Sequence, residues 1–360
     1  MKKFLSLLLA SSFFTFSLNT VTFGMENKES QETKAVQEDE PLPKYAKRKI
    51  RITFNEHLKE FVKNKKENGE WVEGAGPALT EGSSYLYLSS KEDSVNNSIV
   101  VALLPGHGAK TNKDNKAHYV IIHPKDKSGK VTGGSTKKGK IEALCENEGM
   151  SFDDGTFESV VNLKVANFLK ELLLEEGYNV LMLRDEPSTQ LDVPAKCIIA
   201  SNFANLMISI HFDAPTEGIK SNKGAFYLSV PEEIKNSVKT YQDNNALGKT
   251  LIVALTSIGF NIFGKGDIPV DLMQWEYADG IPNTVVKLGN TLSKIDDASL
   301  DNYAMGLCKG IDAFCKENYY SFESKIVEKG MEFGGVEDPK KEDLEYVPDF
   351  VMPSPATLNS

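Results

Sequence analysis

The chain has 360 residues, 40% hydrophobic and 26% charged, which is enough apolar material for one large folded domain with extensions. A formal charge of −10 argues against a nucleic-acid binder, which would need a basic face, and gives no long-range help in approaching an anionic surface. Four cysteines (Cys145, Cys197, Cys308, Cys315) are too few for a disulfide scaffold, and the lack of a Cys-x-x-Cys pair argues against thiolate zinc or thioredoxin chemistry.

In chain order, Met1-Lys2-Lys3 is a short basic start, followed by the apolar stretch Phe4 to Phe16 and a small residue at Gly24. That pattern predicts a secretory signal peptide over 1–24, with an uncleaved membrane anchor as the competing reading. No later apolar run is long enough to span a bilayer, so the expectation is an exported, soluble protein. Residues 25–47 are Glu, Gln, Lys and Pro with almost no large apolar side chains, the composition of a disordered linker. Residues 48–97 suggest a small β-rich lead-in, with alternation over Arg48–Phe54 and a second strand at Tyr85–Leu88.

From Ile99 the pattern changes to alternating strands and helices. Strand 99–104 is followed by an amphipathic helix, Phe157 to Glu176, carrying Val161, Val165, Phe168, Leu169 and Leu172 at helical spacing and ended by Gly177. Strand 178–183, a short helix near 194–204 and strand 205–210 come next. Strand 224–230, helix 243–258, strand 284–288 and a last helix over 297–318 complete the series. Within that last helix Cys308 and Cys315 would both face the core, with Cα atoms roughly 10 Å apart at a 1.5 Å rise per residue, too far for a bridge. This order predicts a single α/β domain over 98–320, with a mostly parallel central sheet flanked by helices. Residues 109–156 form a Lys-, Gly- and Asp-rich insertion with a hairpin expected at 119–131, and 321–360 read as a disordered tail.

Two of the five histidines close strands: His107 ends Ile99–Gly106, and His211 ends Asn205–Ile210. Glu158 opens the helix between them. Two imidazoles and one carboxylate are the three-ligand set of a catalytic zinc site whose fourth position stays open for water. Ligands in parallel α/β sheets gather at the carboxyl ends of the strands, where both histidines fall. His118 and His123 lie inside the insertion with no motif around them and are read as ordinary loop or strand residues.

The same pieces, in the same order, resemble the zinc-dependent N-acetylmuramoyl-L-alanine amidases of the amidase-3 class. The strand ends in Leu104-Pro105-Gly106-His107-Gly108, and a helix begins Phe157-Glu158. A further strand ends Met182-Leu183-Arg184-Asp185, and the third ligand stands in Ser209-Ile210-His211-Phe212-Asp213-Ala214. A glycine-led strand, Gly224–Leu228, follows. The resemblance covers about 98–318. It implies one Zn²⁺ held by His107, Glu158 and His211, and peptidoglycan as the substrate. The reaction would be hydrolysis of the amide between N-acetylmuramic acid and the L-alanine of the stem peptide. It also implies action at the cell wall, in the periplasm or after secretion. Room is left for a protein activator, and a monomer is the default.

The chain departs from the family pattern at two positions. The family has a catalytic glutamate in a strand reading roughly Pro-x-Val-Leu-Val-Glu-x-Gly-Phe. Here Pro282-Asn283-Thr284-Val285-Val286-Lys287-Leu288-Gly289-Asn290 places a lysine there, and Lys196 stands where arginine is frequent. A lysine ammonium has no lone pair with which to accept the proton of an attacking water. Lys287 then either sits neutral beside the metal or stabilises the oxyanion while Glu276 or Asp213 moves the proton. The alternative is a pseudo-amidase that binds peptidoglycan, or regulates an active amidase, without turnover.

Overall fold

An unbroken run of buried residues, Val100–Pro105, forms the strand at the centre of the molecule (β3), covered on both faces as parallel strands require. The computed structural model describes residues 41–52, 84–108, 119–121, 142–144, 148–187, 189, 191, 193–214, 224–278, 280–318 and 322. The signal, most of the linker and nearly all of the tail predicted from sequence lie outside them. β1 (Ala46–Ile52), β2 (Ser84–Ser89), β3, β6 (Asn179–Met182), β7 (Leu206–Asp213), β8 (Ala225–Ser229), β9 (Ile262–Pro269) and β10 (Asn283–Asn290) make one sheet. Its order is β1-β2-β6-β3-β7-β10-β8-β9. β6, β3, β7 and β10 run parallel, and so do β8 and β9 to each other; β2 meets β6, and β8 meets β10, antiparallel. A separate two-stranded sheet pairs β4 (Tyr119–Ile121) with β5 (Glu142–Leu144). The partner of Tyr119–Ile121 is thus farther along the chain than the expected 119–131 hairpin. The intervening Lys- and Gly-rich sequence offers few β-branched or aromatic residues to pair.

Side-chain alternation sorts the helices onto two faces. Val101, Leu103, Ile208, Ile210, Phe212 and Val286 point into one core with α1 (Glu158–Glu175), α3 (Tyr241–Ser257) and α5 (Asp297–Asn318). On the other face α2 (Val193–Phe203) packs against the short α4 (Met273–Tyr277), and Ser209 of β7 donates to Gln274 of α4 at 3.1 Å. From β3 the chain passes through α1 to β6 on one side. It then returns through α2 to β7 on the other side of β3. Right-handed crossovers in opposite directions put the two helices on opposite faces. They also open a crevice beyond the carboxyl ends of β3 and β7, the place where ligands bind in such sheets.

The leading strands are part of this sheet. Asp185, just after β6, accepts Lys49 of β1 at 3.0 Å and Tyr87 of β2 at 2.6 Å, and lies 3.6 Å from Lys170 of α1. Lys170 is only 8% exposed, so removing that carboxylate would leave a buried amine without its ion-pair partner. Asp185→Asn is expected to lower stability to urea by about 2–3 kcal/mol, less than for a fully buried pair because Lys49 is partly solvated. An unchanged unfolding midpoint would contradict this. β9 and α4 were not anticipated. Gly264, Gly266 and Pro269 interrupt any alternation in β9, and most of its side chains are exposed because it is the sheet's edge.

Candidate metal centre

His107 leaves the end of β3 with φ +65°, the left-handed region, and is the one non-glycine residue with positive φ among those described. Such a conformation costs of order 1–3 kcal/mol and persists only where the surroundings impose it. Here the Gly106 N–H bonds Ile210 O of β7 at 2.9 Å, extending strand pairing to the rim and turning His107 across the crevice. Glu158 is the first residue of α1, where free N–H groups favour a carboxylate. The start of that helix is fixed by Glu158 N–H to Met150 O (2.8 Å) and Ser159 N–H to Glu148 O (3.1 Å). His211 sits near the end of β7.

The three side chains converge. His107 Nε2 is 3.0 Å from Glu158 Oε2, and His211 Nδ1 is 3.0 Å from Glu158 Oε1. The two rings meet edge to face, 4.9 Å between centroids. The Phe212 N–H donates to Glu158 Oε1 at 3.0 Å, and the Met150 N–H to Oε2 at 3.3 Å. Glu158 is 3% exposed. Burial pulls its carboxyl upward, but the two imidazoles outweigh it and hold the group well below the usual carboxylate range. Burial first, and then the Lys287 charge, push His211 down to about 3. The set therefore stands as one carboxylate and a neutral His211.

Three features close the pocket around these groups. A Cβ on Gly106 would stand 2.1–2.4 Å from three atoms of the His211 ring. One on Gly149 (φ +76°) would come within 2.7 Å of Glu158 and His107. Asn162, one turn after Glu158 and fully buried, donates to Gly106 O at 3.0 Å and lies 3.5 Å from Glu158 Oε1. Sequence reasoning did not single out Asn162 or Gly149. An amide four residues after the glutamate, on the apolar stripe of α1, was the available signal.

The donor set fits a metal dication. One ligand atom from each residue lies within 4.8 Å of the others. Around zinc, with bonds of about 2.0–2.1 Å in a tetrahedron, ligand atoms stand roughly 3.3 Å apart. The two 3.0 Å contacts are close to that spacing. Each imidazole presents a nitrogen to Glu158, so the donor atoms of the three residues already face one another.

Lys287 of β10 is the register partner of His211, and its Nζ donates to Phe212 O at 2.8 Å. Asp213 lies two residues beyond His211, on the same face of β7 and partly exposed. Glu276 belongs to α4, but its side chain is outside the described residues, as are His118 and His123. Lys196 is fully buried in α2.

Because His211 binds its proton near pH 3 in the fold and near 6.5 when unfolded, the unfolded chain holds more protons between those values. Metal-free protein is expected to have full stability above pH 6.5 and to lose it on acidification toward pH 3. Glu158, shifted downward, adds its own loss below about 4.5. Thermal melts in chelator across this range provide the check, and a melting temperature flat from pH 6.5 to 4.5 would contradict it.

Residues 101–258 match the family model for N-acetylmuramoyl-L-alanine amidase, the amidase-3 family, and the match ends before β10. No curated protein matches the chain. Similar solved structures include the N-acetylmuramyl-L-alanine amidase Ami1 from Mycobacterium smegmatis (18% identity, covering 62% of this chain and 100% of that one, TM-score 0.49). Apo Ami1 from Mycobacterium abscessus is another (20% identity, 60% and 98% covered, TM-score 0.48). A third is the CwlD amidase from Clostridioides difficile in complex with the GerS lipoprotein (17% identity, 61% and 99% covered, TM-score 0.43).

Proposed function

We propose that this protein, whose residues 101–258 match the family model for N-acetylmuramoyl-L-alanine amidase of the amidase-3 class, is a zinc-dependent peptidoglycan amidase. It would cleave between N-acetylmuramic acid and the L-alanine of the stem peptide. The observation that carries this reading is the meeting of His107, Glu158 and His211 at the crevice between β3 and β7. These three side chains would hold the ion, which when bound supplies Lewis-acid polarisation of the scissile carbonyl and a water of lowered pKa.

The remaining work falls to the chain's own groups. His107 and His211 would lend imidazole nitrogen donors, and Glu158 would lend charge compensation. Lys287 Nζ donates to Phe212 O beside His211, so the family's carboxylate position carries a cation and no proton acceptor. Asp213, on the face of β7 that carries His211, is a carboxylate left to carry a proton, and one at position 287 would add a second beside His211. Residues 1–24 supply the export that a cell-wall substrate requires.

A second reading is favoured by one observation. The position of the family's catalytic carboxylate is held by Lys287, which would leave a pseudo-amidase that binds peptidoglycan, or regulates an active amidase, without turnover. The test is zinc-loaded protein on intact peptidoglycan, with free stem peptides counted by mass spectrometry against His211→Ala. Release by the wild type above that control supports the hydrolase. Equal signals defeat it, and zinc binding with sacculus retention but no release would favour the second reading.

A further inference from the structure

Arg184 follows β6 at the rim of the sheet and is 1% exposed. A guanidinium stays charged at any pH at which a protein folds, so its burial requires acceptor oxygens around it. Three of them are backbone carbonyls. Nε donates to Pro105 O at 3.2 Å, and Nη2 donates to Gly106 O at 3.3 Å and Ser159 O at 2.8 Å. Pro105 and Gly106 run directly into His107, while Ser159 directly follows Glu158. One rigid fork therefore spans the two segments that carry two of the three donors. The third segment is tied to the same point, because the Gly106 N–H bonds Ile210 O, the residue before His211.

We propose that Arg184 is a positioning residue of the metal centre, setting the offset between the end of β3 and the first turn of α1 so that His107 and Glu158 face one point. The proposal rests on the metal-site reading of His107, Glu158 and His211. Its physical content is the planar guanidinium. A lysine keeps the charge but offers one nitrogen, which cannot hold carbonyls of both segments in a fixed spacing. The strained φ of His107 is one conformation that such a clamp sustains.

The experiment compares wild type, Arg184→Lys, Arg184→Gln and Ile311→Ala, the last a cavity in the core of α5. Zinc dissociation constants come from competition with a chromophoric chelator, and stability comes from denaturant unfolding of the zinc-free forms. Both Arg184 variants are expected to bind zinc 10–100-fold more weakly. Ile311→Ala should be less stable yet keep the wild-type dissociation constant. Equal constants in wild type and Arg184→Lys would remove this proposal alone. Loss of zinc by Ile311→Ala in step with its stability would remove it as well, by showing that affinity simply follows folding. An Arg184→Lys chain that cannot fold would also overturn it, since the side chain would then serve the fold and not the site. A wild type that binds no zinc would remove the metal-site reading, and this proposal with it.

Discussion

Lys287→Glu is expected to release stem peptides faster than the wild type by on the order of 10²–10⁴, the usual contribution of a positioned general base. Residue 287 neighbours His211 across the β7–β10 pairing, so a carboxylate there would stand at the rim where the water proton must go. The same exchange removes a cation whose field disfavours positive charge at His211. Zinc should consequently bind the glutamate variant more tightly as well. Initial rates on purified peptidoglycan, at saturating zinc, separate the chemical effect from the effect on affinity. A glutamate variant slower than an active wild type would mean that the lysine is an adaptation with Asp213 as proton carrier. A silent wild type made active by the change would establish the pseudo-enzyme.

The second large effect is expected from Gly106→Ala, through shape instead of charge. The added methyl would occupy space held by the His211 ring, at 2.1–2.4 Å from its atoms. The backbone has little room to retreat. The Gly106 N–H is bonded to Ile210 O, and its carbonyl accepts from Asn162 and Arg184. The imidazole must swing away from Glu158, and one of three donors is lost. Calorimetric titration should find zinc affinity reduced 100-fold or more, beyond the 10–100-fold of an outer-contact change. Unfolding of the zinc-free variant should fall by only about 1–3 kcal/mol, the cost of overpacking. Affinity within threefold of the wild type would contradict this account.

The rim of the sheet was legible in the sequence because each donor sits where one periodicity stops. The apolar run of β3 ends at Gly106-His107, the stripe of α1 begins after Glu158, and the continuously buried run of β7 ends just before His211. What the pattern could not convey is long-range. Pairing of β1 and β2 with β6 is supported by Asp185 gathering Lys49, Tyr87 and Lys170, contacts at least 98 positions apart for the leading strands. The hydrogen bonds of Asn162 and Arg184 to Gly106 O likewise join residues far apart in the chain, so the amide on the stripe of α1 marks a position without naming its partner. β9 was missed for a different reason. An edge strand needs no apolar face, and its glycines resemble a loop.

His107, Glu158 and His211 come from the far ends of two crossovers running in opposite directions. No short fragment of this chain contains all three, and an unfolded coil pays heavily in loop entropy to gather them. On the proposed reading, cation capture is reserved for the fully assembled domain, and its free energy adds wholly to the native side of the balance. Free zinc at a hundred times its dissociation constant contributes about 2.7 kcal/mol. Abundance of this protein in an exporting cell should therefore track zinc supply, because the ion-starved form is the one that proteases reach first.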